Sequence, residues 1–325
     1  MDPRLGRSVR VIACGLGLLL AAGCAATPPA PASPSPSPSV SASPTPKPVF
    51  ADAELVWAQR STVYVDDLSY DLSPHVVLWL AWSPSRLYLG ERDGDEYRVV
   101  AFDGAEQTGV GAVDGRVATS PDGDLAAWID RDGPERPAGK VAQLVVQDTE
   151  TGEIVYTTSE GMGGEKGDDL GDRYEELPPS VTAIRDRSVF WKDAEGGGGY
   201  VVTDLDSGAS QRAETDWPVR LTLTAGYLFS SPDGEYLVDA SETGKLNVTP
   251  RQPDFGGQYQ THAGWSGDHT LLAVVQDEYA WSWDPNVPDE TPGRVVACDL
   301  ELGTCTTRAE VVGTRDLAFA GALQE

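Results

Sequence analysis

The sequence predicts an all-β fold, a β-propeller, on three observations. A tight-turn motif recurs as Ser120-Pro121-Asp122-Gly123 and Ser231-Pro232-Asp233-Gly234, each time between two apolar runs. A second unit, a valine pair followed by an aspartate, returns at Val99-Val100, Val145-Val146, Val201-Val202 and Val295-Val296. The chain carries 35 Gly and 24 Pro among short Val-, Trp- and Tyr-bearing runs, with no long helical stripe after its N-terminus. That composition suits many short strands and turns. Units of roughly 40 to 50 residues, each with four short antiparallel strands, are propeller blades.

The turn motif has a direct physical reading. Proline presets φ at about −65°, aspartate hydrogen-bonds nearby backbone, and glycine accepts positive φ where the chain reverses. The aspartates after the valine pairs, Asp103, Asp148, Asp204 and Asp299, lie 45, 56 and 95 residues apart. The last gap holds two units, with a degenerate copy, Lys245-Leu246-Asn247-Val248, in its middle. Beyond the last three aspartates stand Gly152, Gly208 and Gly303, four residues on in each case, as a strand-closing turn requires. Arg185-Asp186-Arg187 and Ser266-Gly267-Asp268-His269 occupy the place of the Ser-Pro-Asp-Gly turn in two further units. Five blades are thus expected between about Val76 and Glu310. The leftover strands, Leu55-Val56-Trp57, Thr62 to Val65 and Asp316 to Phe319, cannot stand alone as open edges. Pairing the C-terminal strand with the N-terminal ones makes a sixth blade; seven blades is the runner-up, and two stacked β-sandwiches the structural alternative.

Residues 1–23 read as a signal peptide. Arg4, Arg7 and Arg10 lead Val11 to Leu20, an apolar stretch too short to span a bilayer. Leu20-Ala21-Ala22-Gly23-Cys24 resembles the lipobox of bacterial lipoproteins, with its leucine one place further from the cysteine than the commonest pattern. The resemblance implies that Cys24 accepts a diacylglycerol anchor and that the chain is held at the outer face of the cell membrane. An ordinary cleaved signal is the alternative. Residues 24–50 form a linker whose positions 25–48 hold nine Pro, six Ser, five Ala and two Thr. Such a segment buries too little apolar surface to order, and its prolines keep it extended at about 3.1 Å per residue, a reach of roughly 75 Å. Residues 51–325 are the propeller domain.

The Ser-Pro-Asp-Gly turn followed by Leu125-Ala126-Ala127-Trp128 resembles the WD-repeat-like propeller repeats of exported bacterial proteins, the Tol-system type among them. Lipobox, Pro/Ser spacer and propeller together look like surface lipoproteins of high-GC Gram-positive bacteria. The resemblance implies a fold and leaves activity open, since one fold hosts many functions.

A net charge of −27 argues against nucleic acid as a partner, because phosphates need neutralising by Lys and Arg. It equally disfavours a basic patch on anionic lipid. Cys298 and Cys305 flank the turn of a predicted hairpin, within reach of a disulfide in a compartment that permits one; two buried thiols are the alternative. Tyr279, Trp281 and Trp283 alternate, so in a strand they share one face and offer a ligand surface, unless they pack between blades. Asp168, Asp169 and Asp172 lie in the longest insertion, Glu160 to Glu176, whose spacing matches no calcium-loop pattern and which reads as a solvated loop. Asp204-Leu205-Asp206 starts like a calcium loop, but Thr215 stands where the closing glutamate belongs. Gly264-Trp265-Ser266-Gly267-Asp268 departs from a nucleophile elbow at Asp268, and Ser266 reads as a turn residue.

With no convincing nucleophile, metal triad or cofactor motif, the expectation is a lipid-anchored, non-catalytic binding or scaffold propeller for an envelope ligand or protein. The alternative is a calcium-dependent propeller hydrolase or lactonase, which would need several carboxylates aimed at the central channel. No cofactor is expected under the first reading, and calcium under the second.

Overall fold

The computed structural model describes residues 49–94, 96–164, 170–194, 200–212, 228–231, 235–240, 244–266, 269–278, 290–313 and 317–320. The chain divides into two units, Met1–Thr45 and Pro46–Glu325, and every described residue belongs to the second. Cys24 and the rest of residues 1–48, where the signal peptide and spacer are expected, lie outside the described residues.

The strands run in order as β1 (Val56–Gln59), β2 (Thr62–Val65), β3 (Leu68–Asp71), β4 (Val76–Trp82), β5 (Leu87–Asp93), β6 (Glu96–Phe102) and β7 (Gln107–Gly111). Then come β8 (Val113–Thr119), β9 (Leu125–Asp130), a ribbon of β10 (Glu135–Arg136) and β11 (Gly139–Lys140), β12 (Gln143–Asp148) and β13 (Ile154–Thr158). A helix, α1 (Leu170–Glu176), precedes β14 (Ser180–Arg185), β15 (Ser188–Lys192), β16 (Tyr200–Asp204) and β17 (Ser210–Arg212). The chain continues through β18 (Leu228–Ser230), β19 (Leu237–Asp239), β20 (Asn247–Thr249), β21 (Tyr259–Trp265), β22 (Thr270–Gln276), β23 (Pro292–Asp299), β24 (Thr304–Val312) and β25 (Leu317–Phe319).

Apart from the ribbon, these strands form six antiparallel sheets, five of four strands and one, β18-β19-β20, of three. Five are simple meanders. The sixth has the order β25-β1-β2-β3, with Trp57 opposite Phe319 and Gln59 opposite Leu317. The two ends of the described chain therefore share one sheet.

The valine pair marks the third strand of each meander: β6, β12, β16 and β23, with Val248 of β20 as the degenerate copy. Its aspartate caps the turn that follows. Asp148 Oδ1 accepts the N–H of Thr151 at 2.8 Å, Asp204 Oδ1 that of Ser207 at 2.7 Å, and Asp299 Oδ1 that of Leu302 at 2.8 Å. The glycine four residues on closes it, Gly152 donating to the Asp148 carbonyl at φ 76°, with the same bond at Gly208 and Gly303. Asp103 caps a shorter turn through Ala105 and Glu106.

The turns between first and second strands are closed by serine. Ser120 Oγ accepts the N–H of Leu125 and Ser231 Oγ that of Tyr236, both at 3.0 Å, while each serine N–H donates to the same partner's carbonyl at 2.9 Å. Ser83 makes a shorter version with Arg86. Between β14 and β15 the chemistry differs: Asp186 and Arg187 both adopt positive φ, 45° and 58°, the signature of a two-residue hairpin. Turns interlock within a sheet and between adjacent sheets. The Thr149 hydroxyl donates to the Gly123 carbonyl at 2.7 Å and that of Ser85 to the Thr149 carbonyl at 2.5 Å.

The core lies between the sheets. One apolar layer joins Val63, Val65 and Ala318 to Leu87, Leu89 and Phe102; the next joins Trp79, Tyr88 and Val99 to Ala126, Trp128 and Val145. A third packs Ile129 and Leu144 on Ile184 and Trp191, and a fourth packs Val238 and Val248 on Leu271 and Val296. A fifth returns from Leu272, Val274 and Val295 of the last meander to Trp57, Leu317 and Phe319. Each layer thus sits between sheets consecutive in sequence, and the fifth returns to the sheet that holds both chain ends. Phe50, one position before the expected start of the domain, is buried in the first layer, 1% exposed, and its carbonyl accepts the Trp82 indole N–H.

One expectation is corrected here. The sequence predicts a solvated loop from Glu160 to Glu176, but its C-terminal part is helix α1, with Leu170 and Tyr174 buried against the third apolar layer. Tyr174 supplies the reason: its hydroxyl takes the Ala142 N–H at 2.9 Å and donates to the Met162 carbonyl at 2.8 Å.

Candidate interaction face

Antiparallel meanders place their connections alternately at two ends. The first-to-second and third-to-fourth turns share one end; the second-to-third loops and the passages between sheets share the other. Short, capped turns occupy the first end. Residues 131–142, 159–179 and 277–291 all connect at the second, and the strand ends that bound residues 213–227 lie there too.

The N-terminal entry is fastened at the short-turn end. The Phe50 N–H donates to the Pro84 carbonyl at 2.8 Å, Asp66 Oδ1 accepts the N–H groups of Glu54 and Leu55, and the Ser266 hydroxyl donates to the Glu54 carbonyl. Ser266 is therefore a turn residue whose hydroxyl is engaged by backbone.

At the opposite end the insertions build on one another. Arg131 lies 4.3 Å over the Tyr174 ring and pairs with Asp114 at 2.6 Å. Arg136 donates to the Gly163 carbonyl at 2.9 Å and to Ser159 Oγ at 2.8 Å. Asp172 is exposed on α1; Asp168 and Asp169, placed beside it by the sequence, lie outside the described residues, as do Tyr279, Trp281 and Trp283. A small cavity of about 130 Å³ opens nearby, lined by Glu160, Gly161, Trp191, Asp193 and Arg212 among others. Asp193, 1% exposed, forms an ion pair with Arg212 there.

A second group at this end escaped sequence reasoning. Trp79 Nε1–H donates to Tyr97 Oη at 2.9 Å, and Tyr97 donates on to the Gly115 carbonyl at 2.8 Å. Tyr97 is 44% exposed, and burial of its phenol end raises its pKa. Arg116 follows Gly115, and burial lowers the pKa of its guanidinium. One signal was available: Gly90 inside a strand marks close approach of another group. A Cβ there would fall within the Trp79 indole.

The disulfide is present. Cys298 and Cys305 face each other across β23 and β24 with a sequence separation of 7. Among the described residues no group of three or more His, Cys, Asp or Glu side chains is placed to hold a metal ion. The six strands that lead their sheets, β4, β8, β14, β18, β21 and β25, contain one carboxylate, Asp114, already paired with Arg131. No helix among the described residues is long and apolar enough to cross a membrane.

No family model and no curated protein matches the sequence. Solved structures do. TolB from Acinetobacter baumannii is 12% identical with a TM-score of 0.44, over 84% of this chain and 68% of that one. A TolB candidate from Agrobacterium tumefaciens is 16% identical with a TM-score of 0.40, over 81% and 92%. A Mycobacterium tuberculosis puromycin-hydrolyzing peptidase is 14% identical with a TM-score of 0.35, over 76% of this chain and 40% of that one. At such scores the fold is argued from the sheets themselves.

Proposed function

We propose that the chain is a lipid-anchored extracytoplasmic scaffold: a closed six-bladed propeller, tethered through Cys24, that binds an envelope ligand or protein on its insertion-bearing end. The observation that carries this reading is the opposition of the two ends. Residues 50–55 lead into β1 among short capped turns, while the insertions gather at the far end of the sheets. Loops on a rigid scaffold are where recognition concentrates. Six sheets, apolar layers at five of the six junctions a ring needs, the Arg185 to Ser231 carbonyl hydrogen bond at the sixth and the β1–β25 pairing support closure and the blade number.

Anchoring is tested by fractionation. Wild-type protein should partition with membranes, and Cys24→Ala should be released; equal partitioning sinks the anchor. Binding is tested by screening the purified protein against wall polymers, envelope proteins and calcium. A bulky thiol-linked polymer at Asp172→Cys should block capture, whereas the same polymer at Asp206→Cys, on a short turn, should leave it intact. The reverse pattern, or no binding to any component, overturns the assignment.

A further inference from the structure

We propose that Arg116 is the receptor for a carboxylate on an acidic segment of a partner polypeptide that docks at the insertion-bearing end. This rests on the scaffold reading above and names the chemistry of its ligand.

The site is built from three features. The ladder between β8 and β9 jumps from Asp114↔Ile129 to Ala118↔Ala127, so Gly115, Arg116 and Val117 leave the register as a bulge. β8 leads its sheet and packs against β4 and β14, which lead the flanking sheets, so the bulge stands on the inner edge of the sheets. The relay from Trp79 through Tyr97 to the Gly115 carbonyl then pins the bulge from a neighbouring sheet. Gly115 makes it with φ at 75°.

The bulge presents a half-buried guanidinium that makes no hydrogen bond or ion pair with any described residue. The nearest acid in sequence, Asp114, is committed to Arg131. In a chain of net charge −27, a cation that no described carboxylate neutralises is one that a carboxylate from outside can pair with. The planar fork of arginine matches a carboxylate with two parallel N–H donors. A single carboxylate is repelled by Asp114 and the negative field of the whole molecule less than a doubly charged phosphate or a polyanionic wall polymer would be. An exposed pair alone contributes little. The carboxylate therefore belongs to a segment that also covers Tyr97, the exposed aromatic beside it, since paired aromatic and arginine groups dominate interfaces.

The experiment selects a random-sequence peptide library on the purified protein at low ionic strength. Selected peptides should be enriched in Asp, Glu or a free C-terminal carboxylate. They should bind Arg116→Gln about tenfold more weakly, with Arg116→Lys in between. Changing the selected Glu to Gln in the peptide should cause the same loss on unaltered protein, which keeps the test independent of how the variant folds. Binders without acidic preference, or equal binding to Arg116→Gln, overturn this inference and leave the scaffold reading standing. No binder of any sequence also overturns this inference, while the scaffold reading stands or falls on the screen of wall polymers, envelope proteins and calcium. Displacement of a selected peptide by inorganic phosphate at lower concentration than by acetate overturns the carboxylate assignment in favour of a phosphate receptor.

Discussion

Single residues set the geometry of this fold through bonds that span a few positions. Three of the turn aspartates are held below the ordinary carboxylate pKa by N–H groups donated within their own turns: Glu106 and Ala105 to Asp103, Thr151 to Asp148, and Ser207 to Asp204. A group whose folded pKa is lowered adds stability above the ordinary carboxylate range and loses it as pH falls through the folded value. Replacing all three by asparagine keeps an acceptor and removes the titration. The urea midpoint of that variant should therefore fall less steeply on acidification; an unchanged acid limb would show that these turns do not contribute. Gly90 acts differently, by leaving room. Gly90→Ala should displace the Trp79 indole and cost about 1 to 3 kcal/mol as an overpacked core site. It should also quench the relay to Tyr97, seen as a change in tryptophan fluorescence.

Among the elements, what the sequence made readable was whatever depends on local chemistry. The valine pair, the capping aspartate and the positive-φ glycine sit within a few residues of one another, so strand three and its turn could be placed in each unit. Ser266 was legible as a turn residue for the same reason. Helix α1 was not legible, because its stability comes from Tyr174 reaching Ala142 and Met162, contacts across 32 and 12 residues. The bulge at Arg116 was hidden too, since the tyrosine that pins it lies on another sheet. The hairpin of β23 and β24 gives a quantitative check. Its disulfide closes a short loop that the ladder already holds, so Cys298→Ser with Cys305→Ser should lower stability by at most about 2 kcal/mol by urea denaturation. A larger loss would mean that the hairpin depends on the bond.

For the whole molecule, the pairing of β25 with β1 decides whether the sheets act as one body. Phe319 is 1% exposed and packs with Trp57, Leu272 and Val274 at that junction. Phe319→Ala should cost about 3 to 5 kcal/mol. Its thermal transition should remain single, as expected of sheets that melt together. A second, earlier transition would show that the junction opens independently.

That same strand orders events in time. A ribosome makes Trp57 262 residues before Phe319, so the opening sheet lacks its innermost member until β25 has been made. Until then its unfinished edge has no partner from its own chain. The step that locks the first sheet is therefore the arrival of β25, after the strands of every other sheet have been made.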